Sequence, residues 1–207
     1  MSDVIPITLV VEDVLSEEAL RKILKDSKRP YYVGAVYSKK GFGYIKSRIE
    51  GFNQAAQGSP FLVLTDLDQA ECPPTLIADW LKRPANHNLL FRIAVREVDA
   101  WLMADRKAFA RYLGIAQELV PQYPERLKKP KQKLITLARK SKKKSIRNAI
   151  VPAPNVTART GPDYNGTLSV FVREHWSPGR AKSNAKSLNR IIDAVEKFEP
   201  VYSQGGS

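Results

Sequence analysis

The chain has 207 residues, 43% of them hydrophobic, and a formal net charge of +13. This length predicts one domain, or a domain with a sizeable appendage. No run approaches the roughly 18 apolar residues of a transmembrane helix, and the first residues lack the basic and apolar regions of a signal peptide. A membrane partner is therefore not predicted. Cys72 is the only cysteine and there are two histidines, so an internal disulfide is excluded, a zinc site is disfavoured and a cytoplasmic location is expected.

Residues 1–115 alternate short apolar runs with amphipathic segments. Strands are predicted at residues 7–11, 31–37, 61–65 and 89–95. Helices are predicted at residues 16–24, 44–57, 75–82, 98–104 and 106–113. Ser16 is the expected N-cap of the first helix, and Gly114 is expected to end the last. The alternation predicts an α/β fold with a mostly parallel, Rossmann-like sheet flanked by helices.

Residues 116–202 differ in composition and are predicted to form a basic, mainly helical extension packed on this core. Prolines divide the segment into short pieces, and no Asp or Glu occurs from Arg126 to Pro162. Helices are predicted at residues 132–147 and 185–198, whereas residues 168–176 fit a helix or a strand, with the helix favoured. The tail, residues 203–207, is expected to be disordered.

Carboxylates follow three of the predicted strands. They are Glu12, Asp66, Asp68, Glu97 and Asp99. In open α/β sheets, ligands bind beyond the carboxyl ends of the strands, so these five side chains are expected to converge there. Clustered like charges raise one another's pKa, and a hard divalent cation relieves that repulsion. Oxygen ligands suit Mg²⁺ or Mn²⁺, which makes all five residues candidate metal ligands and candidate catalytic residues.

These acidic residues also have purely structural interpretations. The two aspartates after the third strand would suit a solvated turn with hydrogen bonds from side chain to backbone. One of Glu97 and Asp99 would then only cap the short helix that follows. Asp105 fits a helix N-cap better than a metal ligand, and Trp101 fits a core residue better than a base-stacking platform.

The order of these acids resembles the TOPRIM domain, the metal-binding fold of topoisomerases, primases and OLD-family nucleases. Glu12 in Thr-Leu-Val-Val-Glu-Asp matches the family's glutamate after the first strand. Asp66 and Asp68 in Leu-Val-Leu-Thr-Asp-Leu-Asp match its Asp-x-Asp. Asp13 stands where the TOPRIM pattern has glycine, which adds a further candidate ligand and removes the backbone freedom of glycine.

Two further segments resemble a small stand-alone TOPRIM-related family of bacteria. They are the run from Val95 to Asp105 and the later Gly161-Pro-Asp-Tyr164. Members of that family are encoded beside ABC- or AAA-type ATPases, in the manner of two-component phage-defence systems. The resemblance implies a TOPRIM-like core over residues 1–115, an ATPase partner, and a Mg²⁺-dependent nuclease that acts on DNA or RNA as the effector. A homodimer is compatible with the sequence, which leaves the oligomeric state open.

The TOPRIM resemblance also implies roles for the individual acids. Glu12, Asp66 and Asp68 would hold one Mg²⁺, and Glu97 and Asp99 would hold a second ion or orient the attacking water. Two metals about 4 Å apart would stabilise the attacking and leaving oxygens of a phosphodiester displacement. The sequence leaves the number of metals open.

A basic footprint is expected to contact nucleic-acid phosphates. Its candidate residues are Lys39, Lys40, Lys128, Lys129, Lys131, Lys133, Arg139, Lys140, Lys142, Lys143, Lys144 and Arg147. Contacts from lysine to phosphate give affinity without sequence readout, and such binding weakens with salt. A solvated helix face, or a patch that meets an acidic partner protein, is the alternative.

One glycine-containing segment near the basic residues has two interpretations. Gly41-Phe-Gly43 lies among lysines and would suit a phosphate-binding turn or a solvated loop. The fixed Gly-Lys-Ser/Thr spacing of a Walker A motif is missing, so no ATP hydrolysis by this chain is predicted. His175 fits a structural residue beside Trp176 better than a general base.

Three functions are compatible with these patterns. The first is the metal-dependent nuclease. The second is a nucleic-acid-binding or regulatory subunit whose acidic residues are inert without an ATPase partner. The third, a nucleotidyl-transfer or primase-like enzyme, is least favoured because no segment is typical of a nucleotide-specific pocket.

Overall fold

A four-stranded parallel sheet forms the centre of the N-terminal part. The computed structural model describes residues 4–38 and 41–202. The strands are β1 Ile5–Val10, β2 Tyr31–Tyr37, β3 Phe61–Asp66 and β4 Leu89–Ala94. They are all parallel and lie in the order β2-β1-β3-β4. The predicted α/β fold is confirmed, and each strand begins and ends within two residues of its predicted bounds.

Helices connect the parallel strands, as βα alternation requires. They are α1 Val14–Lys25, α2 Gly41–Ala55 and α3 Pro73–Trp80. The central strand β3 is almost wholly buried because apolar residues fill successive positions along it. Phe52, Phe61 and Trp80 contribute the largest side chains to the hydrophobic cluster that packs α2 and α3 on the sheet. The strands that precede the candidate acidic residues are therefore packed in a hydrophobic core.

The prediction that Ser16 caps α1 is wrong. Asp13 precedes the helix with extended backbone, and its Oδ1 accepts a hydrogen bond from the Ser16 amide at 2.8 Å. Ser16 lies inside the first turn and is buried. An N-cap needs a non-helical backbone and an acceptor that reaches two or three residues ahead, and Asp13 has both.

Contacts within the chain group its residues into two compact units. We call residues Met1–Val95 and Arg190–Ser207 the sheet unit, and residues Arg96–Asn189 the helical unit. The division falls after Val95 and within the last helix, whereas the sequence places a boundary near residue 115. The packing of a helical extension on the core stays a prediction. The tail predicted to be disordered, residues 203–207, lies outside the described residues.

The helical unit consists of short helices. They are α4 Val98–Ala104, α5 Arg106–Leu113, α6 Pro130–Arg139, α7 Lys144–Ile150, α8 Tyr164–Glu174 and α9 Pro178–Ala181. A last helix, α10 Lys186–Lys197, continues into the sheet unit. Gly114 ends α5 in the left-handed conformation, with φ 67°, as predicted. No helix within residues 4–38 and 41–202 is long and apolar enough to cross a membrane.

The single helix predicted over residues 132–147 is in fact two helices, α6 and α7. Ser141 lies buried at the break, where its Oγ donates to the Leu113 carbonyl at 2.5 Å and accepts from the Lys143 amide at 3.1 Å. Arg147 donates to the Ser141 carbonyl at 2.8 Å. These bonds satisfy backbone groups that a continuous helix would otherwise pair, which is how serine competes with helical structure.

Candidate functional site

Glu12 lies directly beyond the carboxyl end of β1, next to β3. The parallel register pairs Val10 with Val63, which brings Glu12 beside Thr65 two residues further along. The Thr65 hydroxyl donates to Glu12 Oε1, and the Asp66 amide donates to the same oxygen at 2.9 Å. Thr65 is only 1% exposed. The neighbouring strand therefore holds one oxygen of the Glu12 carboxylate in a fixed position.

The electrostatic surroundings of Glu12 disfavour its ionised form. Burial raises the pKa of the Glu12 carboxyl above its ordinary value, and the negative charges of Asp68 and Asp13 raise it further. The hydrogen bonds from Thr65 and Asp66 act in the opposite direction but do not outweigh burial. A carboxylate in this setting gains from a nearby cation.

The two aspartates after β3 occupy different environments. Asp66 is the last residue of the strand and is half-buried, whereas Asp68 is exposed. Leu67 between them points into the hydrophobic cluster. Asp68 has φ 48°, a left-handed conformation that aspartate tolerates better than most residues. The turn therefore separates the two side chains, one at the sheet edge and one toward solvent.

The donor chemistry of Glu12, Asp66 and Asp68 suits a hard divalent cation, because all three offer carboxylate oxygens. Within the described residues, however, no three His, Cys, Asp or Glu side chains lie close enough together to hold a metal ion. Asp13, the additional candidate ligand, uses its Oδ1 to cap α1. The chemistry of the set fits the ion, whereas its spacing in this structure does not form a closed ligand shell.

Glu97 and Asp99 belong to the helical unit. Glu97 is at the N-cap position of α4, but its side chain makes no capping hydrogen bond there. Its Oε2 instead accepts from the amide of Lys131, in the first turn of α6, at 2.8 Å. Asp99 is 2% exposed, accepts from the Tyr164 hydroxyl, and lies 3.8 Å from Lys131 Nζ. Both carboxylates therefore contact Lys131 of α6. That Glu97 and Asp99 share one site with Glu12, Asp66 and Asp68 stays a prediction.

Two other residues singled out in the sequence have structural roles. Trp101 is fully buried, and its Nε1 donates to Ser187 Oγ at 2.8 Å, so it is a core residue as predicted. Asp105 precedes α5 but makes no capping hydrogen bond. Its carboxylate pairs with Arg180, whose Nη2 lies 2.7 Å from Oδ2, and accepts from the Ser177 amide at 3.0 Å.

The basic residues are concentrated in one unit. The helical unit contains 20 Lys and Arg against 7 Asp and Glu, whereas the sheet unit contains 14 of each. The whole net charge of +13 therefore belongs to the helical unit. The exposed members of the predicted footprint there are Lys128, Lys129, Arg139, Lys140, Lys142, Lys143 and Lys144. This concentration makes a local positive field, which attracts polyanions.

Some members of the predicted footprint are already engaged or lie elsewhere. Lys131 and Lys133 are half-buried, and Lys131 Nζ also lies 5.9 Å from the Tyr164 ring centroid. Arg147 is half-buried and bound to Ser141. Lys39 and Lys40 lie outside the described residues.

The glycine-containing segment is not a separate loop. Residues 41–43 form the first turn of α2, and Gly41 has φ 66° where the helix begins. Lys46, one turn further on, makes an exposed ion pair with Asp79 at 2.9 Å. Residues 41–43 are therefore helical, and contact of this segment with a phosphate stays a prediction.

Comparison with protein-family models, curated proteins and solved structures finds no match to this chain. The resemblance to the TOPRIM domain therefore depends on the residue pattern alone.

The sequence reasoning missed the partners that hold the acids. Thr65 was visible only as the residue before Asp66, and nothing in a single sequence reveals which strand lies beside β1. Tyr164 belongs to the Gly-Pro-Asp-Tyr motif, but the sequence predicts no role for it. The sequence predicts that Lys131 contacts nucleic acid, whereas its backbone amide and its Nζ both face carboxylates of the helical unit.

Proposed function

We propose that the protein is a divalent-cation-dependent nuclease that hydrolyses phosphodiester bonds in DNA or RNA. The observation that supports this most is Glu12, a half-buried carboxylate at the carboxyl edge of a parallel sheet. Burial and two nearby carboxylates raise its pKa, yet two hydrogen bonds from β3 keep it oriented. A perturbed carboxyl group at the carboxyl edge of a parallel sheet is a functional-site candidate, because ligands bind at that edge and catalytic groups often have shifted pKa values.

Glu12, Asp66 and Asp68 would hold Mg²⁺ or Mn²⁺ in this proposal. When bound, such a cation polarises a phosphoryl oxygen and lowers the pKa of a coordinated water. Thr65 and the Asp66 amide would support the ligands in this proposal, since they hold one oxygen of the Glu12 carboxylate in place. The positive field of the helical unit raises the local concentration of the polyanionic substrate.

The family assignment and its biological setting are part of the same proposal. The glutamate and Asp-x-Asp pattern supports a TOPRIM-type nuclease, which would act as the effector of a phage-defence system with an ABC- or AAA-type ATPase partner. Glu97 and Asp99 would take part as second-metal or water-orienting residues only if they exchange their present contacts. Those contacts, with Lys131 and Tyr164, support a structural role at least as well.

The test is incubation of the purified chain with plasmid DNA and with total RNA, in Mg²⁺, Mn²⁺ or EDTA. We expect cation-dependent cleavage that the Asp66→Ala/Asp68→Ala variant loses. Asp26→Ala/Glu71→Ala is the matched control, because it removes two exposed carboxylates of the same unit and should cut normally. Cation binding, measured by calorimetry on both variants, separates a lost ligand from a lost substrate. Normal cutting by Asp66→Ala/Asp68→Ala would refute the proposal.

A non-catalytic nucleic-acid-binding or regulatory subunit of an ATPase complex is the second candidate. It is favoured by the concentration of the net charge in the helical unit and by the wide spacing of the acids. This candidate predicts salt-dependent nucleic-acid binding without cleavage by the isolated chain. Robust cutting by the chain alone would exclude it.

A further inference from the structure

The helical unit contains a cationic pocket that shares only Lys143 with the predicted basic footprint. Its volume is about 480 Å³, within the range of small-ligand pockets. Helix α5 forms one wall, and Lys143, the end of α8 and α9 form the others. The lining side chains that matter here are Lys107, Arg111, Tyr112, Lys143, His175 and Arg180.

Three of these side chains offer positive charge. Lys107 and Arg111 are four residues apart on α5, so they project from the same helix face. Lys143 Nζ lies 3.3 Å from the Arg111 carbonyl oxygen and 5.7 Å from the centroid of the Tyr112 ring. Within the described part of the chain, none of these three cations makes an ion pair with a carboxylate. An anion that enters the pocket would therefore not have to displace a carboxylate from any of these three cations.

The remaining charges of the pocket do not cancel this field. The Arg180 guanidinium pairs with Asp105 and donates to the His175 carbonyl at 2.8 Å, so it mainly holds the wall in place. Glu174 is the one carboxylate that lines the pocket, and 62% of its side chain is exposed. Three cations against one solvated carboxylate leave the pocket positive.

An aromatic surface lies beside the cations. The His175 ring is 5.3 Å from the Tyr112 ring, centroid to centroid, and about half of the His175 side chain is exposed. Tyr112 is fixed from behind, because its hydroxyl donates to the Thr167 carbonyl at 2.7 Å and its ring packs on Phe171 at 5.1 Å. Exposed histidine rings on a rigid support are stacking platforms for unpaired bases.

We propose that this pocket binds one nucleotide of a single-stranded nucleic acid. The phosphate lies among Lys107, Arg111 and Lys143, and the base stacks on His175. A single strand is required because a base paired within a duplex cannot reach the ring. The choice of nucleic acid as ligand rests on the proposed function, but binding here needs neither the metal nor hydrolysis.

Imidazole NMR tests the proposal on the unaltered protein, because the chain has two histidines, one in each unit. A 5′-phosphorylated thymidine trinucleotide is titrated in EDTA while the ring ¹H–¹⁵N signals of both are followed. The expected result is a saturable shift of His175 and no shift of His87, which lies in the sheet unit. Equal shifts, or no shift of His175, would overturn the assignment.

Variants then distinguish binding of the trinucleotide in this pocket from binding to the positive charge of the helical unit in general. Lys107→Gln/Arg111→Gln should bind the trinucleotide at least tenfold more weakly and should flatten the slope of log affinity against log salt by about 0.7, since the pocket holds one phosphate and each single-strand phosphate contact contributes about 0.7. His175→Ala should weaken binding several-fold without changing that slope. Arg159→Gln/Lys186→Gln removes the same charge from exposed residues of the helical unit that belong neither to the pocket nor to the predicted footprint, and it should cost less than twofold.

Equal losses in the two double variants would overturn the proposal, and so would full competition by inorganic phosphate at the concentration of the trinucleotide. A negative result for the pocket can be distinguished from a negative result for the proposed nuclease activity. Absent cleavage with a normal His175 shift leaves the pocket standing, whereas metal-dependent cleavage with no His175 shift leaves only the nuclease.

Discussion

Glu12 lies just beyond the end of β1, where burial and two neighbouring carboxylates disfavour its ionised form. Functional sites often place a group where it reduces stability, and the surroundings of Glu12 are of that kind. Asp99 contrasts with it, because Asp99 is buried but has Tyr164 and Lys131 as partners. At the residue scale, Glu12 is therefore the better candidate ligand and Asp99 the better candidate structural acid.

Glu12→Gln should stabilise the metal-free protein at pH 7. The folded-state pKa of Glu12 lies above its ordinary value of 4.5, so its stabilising contribution is complete below pH 4.5 and is lost as the pH rises. Glutamine keeps the acceptor oxygen and avoids that loss. Urea denaturation in EDTA should show the variant more stable at pH 7 and equal to wild type at pH 4. Mg²⁺ at 100 times its Kd should add about 2.7 kcal/mol to the wild type only.

A variant that is less stable than wild type at pH 7 would contradict this account of Glu12. It would mean that the hydrogen bonds from β3 outweigh the burial of the charge.

Tyr164→Phe should destabilise the protein by about 1–3 kcal/mol, because it removes a hydrogen bond to the buried Asp99 carboxylate. Tyr123→Phe is the matched control, since Tyr123 is exposed, and its loss should stay within about 0.5 kcal/mol. Urea denaturation of both variants, and of a double-mutant cycle with Asp99→Asn, measures the coupling directly. Similar small losses in both tyrosine variants would show that the Tyr164 bond contributes nothing.

At the element scale, helix ends and close approaches determine how the short helices fit together. Helices α7 and α8 are linked through Gly161, whose amide donates to the Ile150 carbonyl at 2.9 Å. A Cβ at this position would lie 2.3 Å from the Ala149 carbonyl oxygen, closer than real contacts allow. This approach gives a physical reason for glycine in the Gly-Pro-Asp-Tyr motif.

Gly161→Ala should destabilise the protein by several kcal/mol or prevent folding, because backbone atoms on both sides must move. Gly51→Ala is the opposite case, since Gly51 lies within α2 and a Cβ there meets nothing within 4 Å. That variant should gain roughly 0.5–1 kcal/mol from helix propensity. Thermal unfolding of both variants measures these changes in stability. A Gly161→Ala protein as stable as wild type would disprove the close approach.

At the scale of the whole molecule, charge is divided between the two units. The sheet unit carries the candidate acidic site and is neutral in formal charge, whereas the helical unit carries all of the net charge. The positive field that attracts a polyanion is therefore expected to come from the helical unit. Affinity for nucleic acid should therefore depend on where lysines are located and not only on their number.

Charge reversal separates these two dependences. Lys140→Glu/Lys142→Glu/Lys144→Glu in the helical unit should abolish nucleic-acid binding at physiological salt. Lys25→Glu/Lys28→Glu/Lys197→Glu changes the net charge equally in the sheet unit and should retain binding within about threefold. All six lysines are exposed, so both proteins should fold. Fluorescence anisotropy across a salt series gives the comparison, and equal losses would mean that only net charge matters.

The sequence by itself determined the elements and the charge. Short apolar runs located four strands and period-3.6 patterns located most helices, and Gly114 marked the end of α5 because glycine adopts φ 67° without strain. The break at Ser141 was not predictable in this way, because it depends on a hydrogen bond to Leu113, 28 residues away. Lysines occur on both sides of Ser141, and lysine is common in both helices and turns, so these residues do not reveal the break.

The tertiary structure alone decided which partner each acid has. Glu12 meets Thr65, Asp99 meets Tyr164 and Asp105 meets Arg180. These pairs are separated by 53, 65 and 75 residues along the chain. Strand order, register and helix packing bring them together, and none of these is encoded in local periodicity. The sequence could therefore name the acids, whereas only packing showed which partner holds each carboxylate.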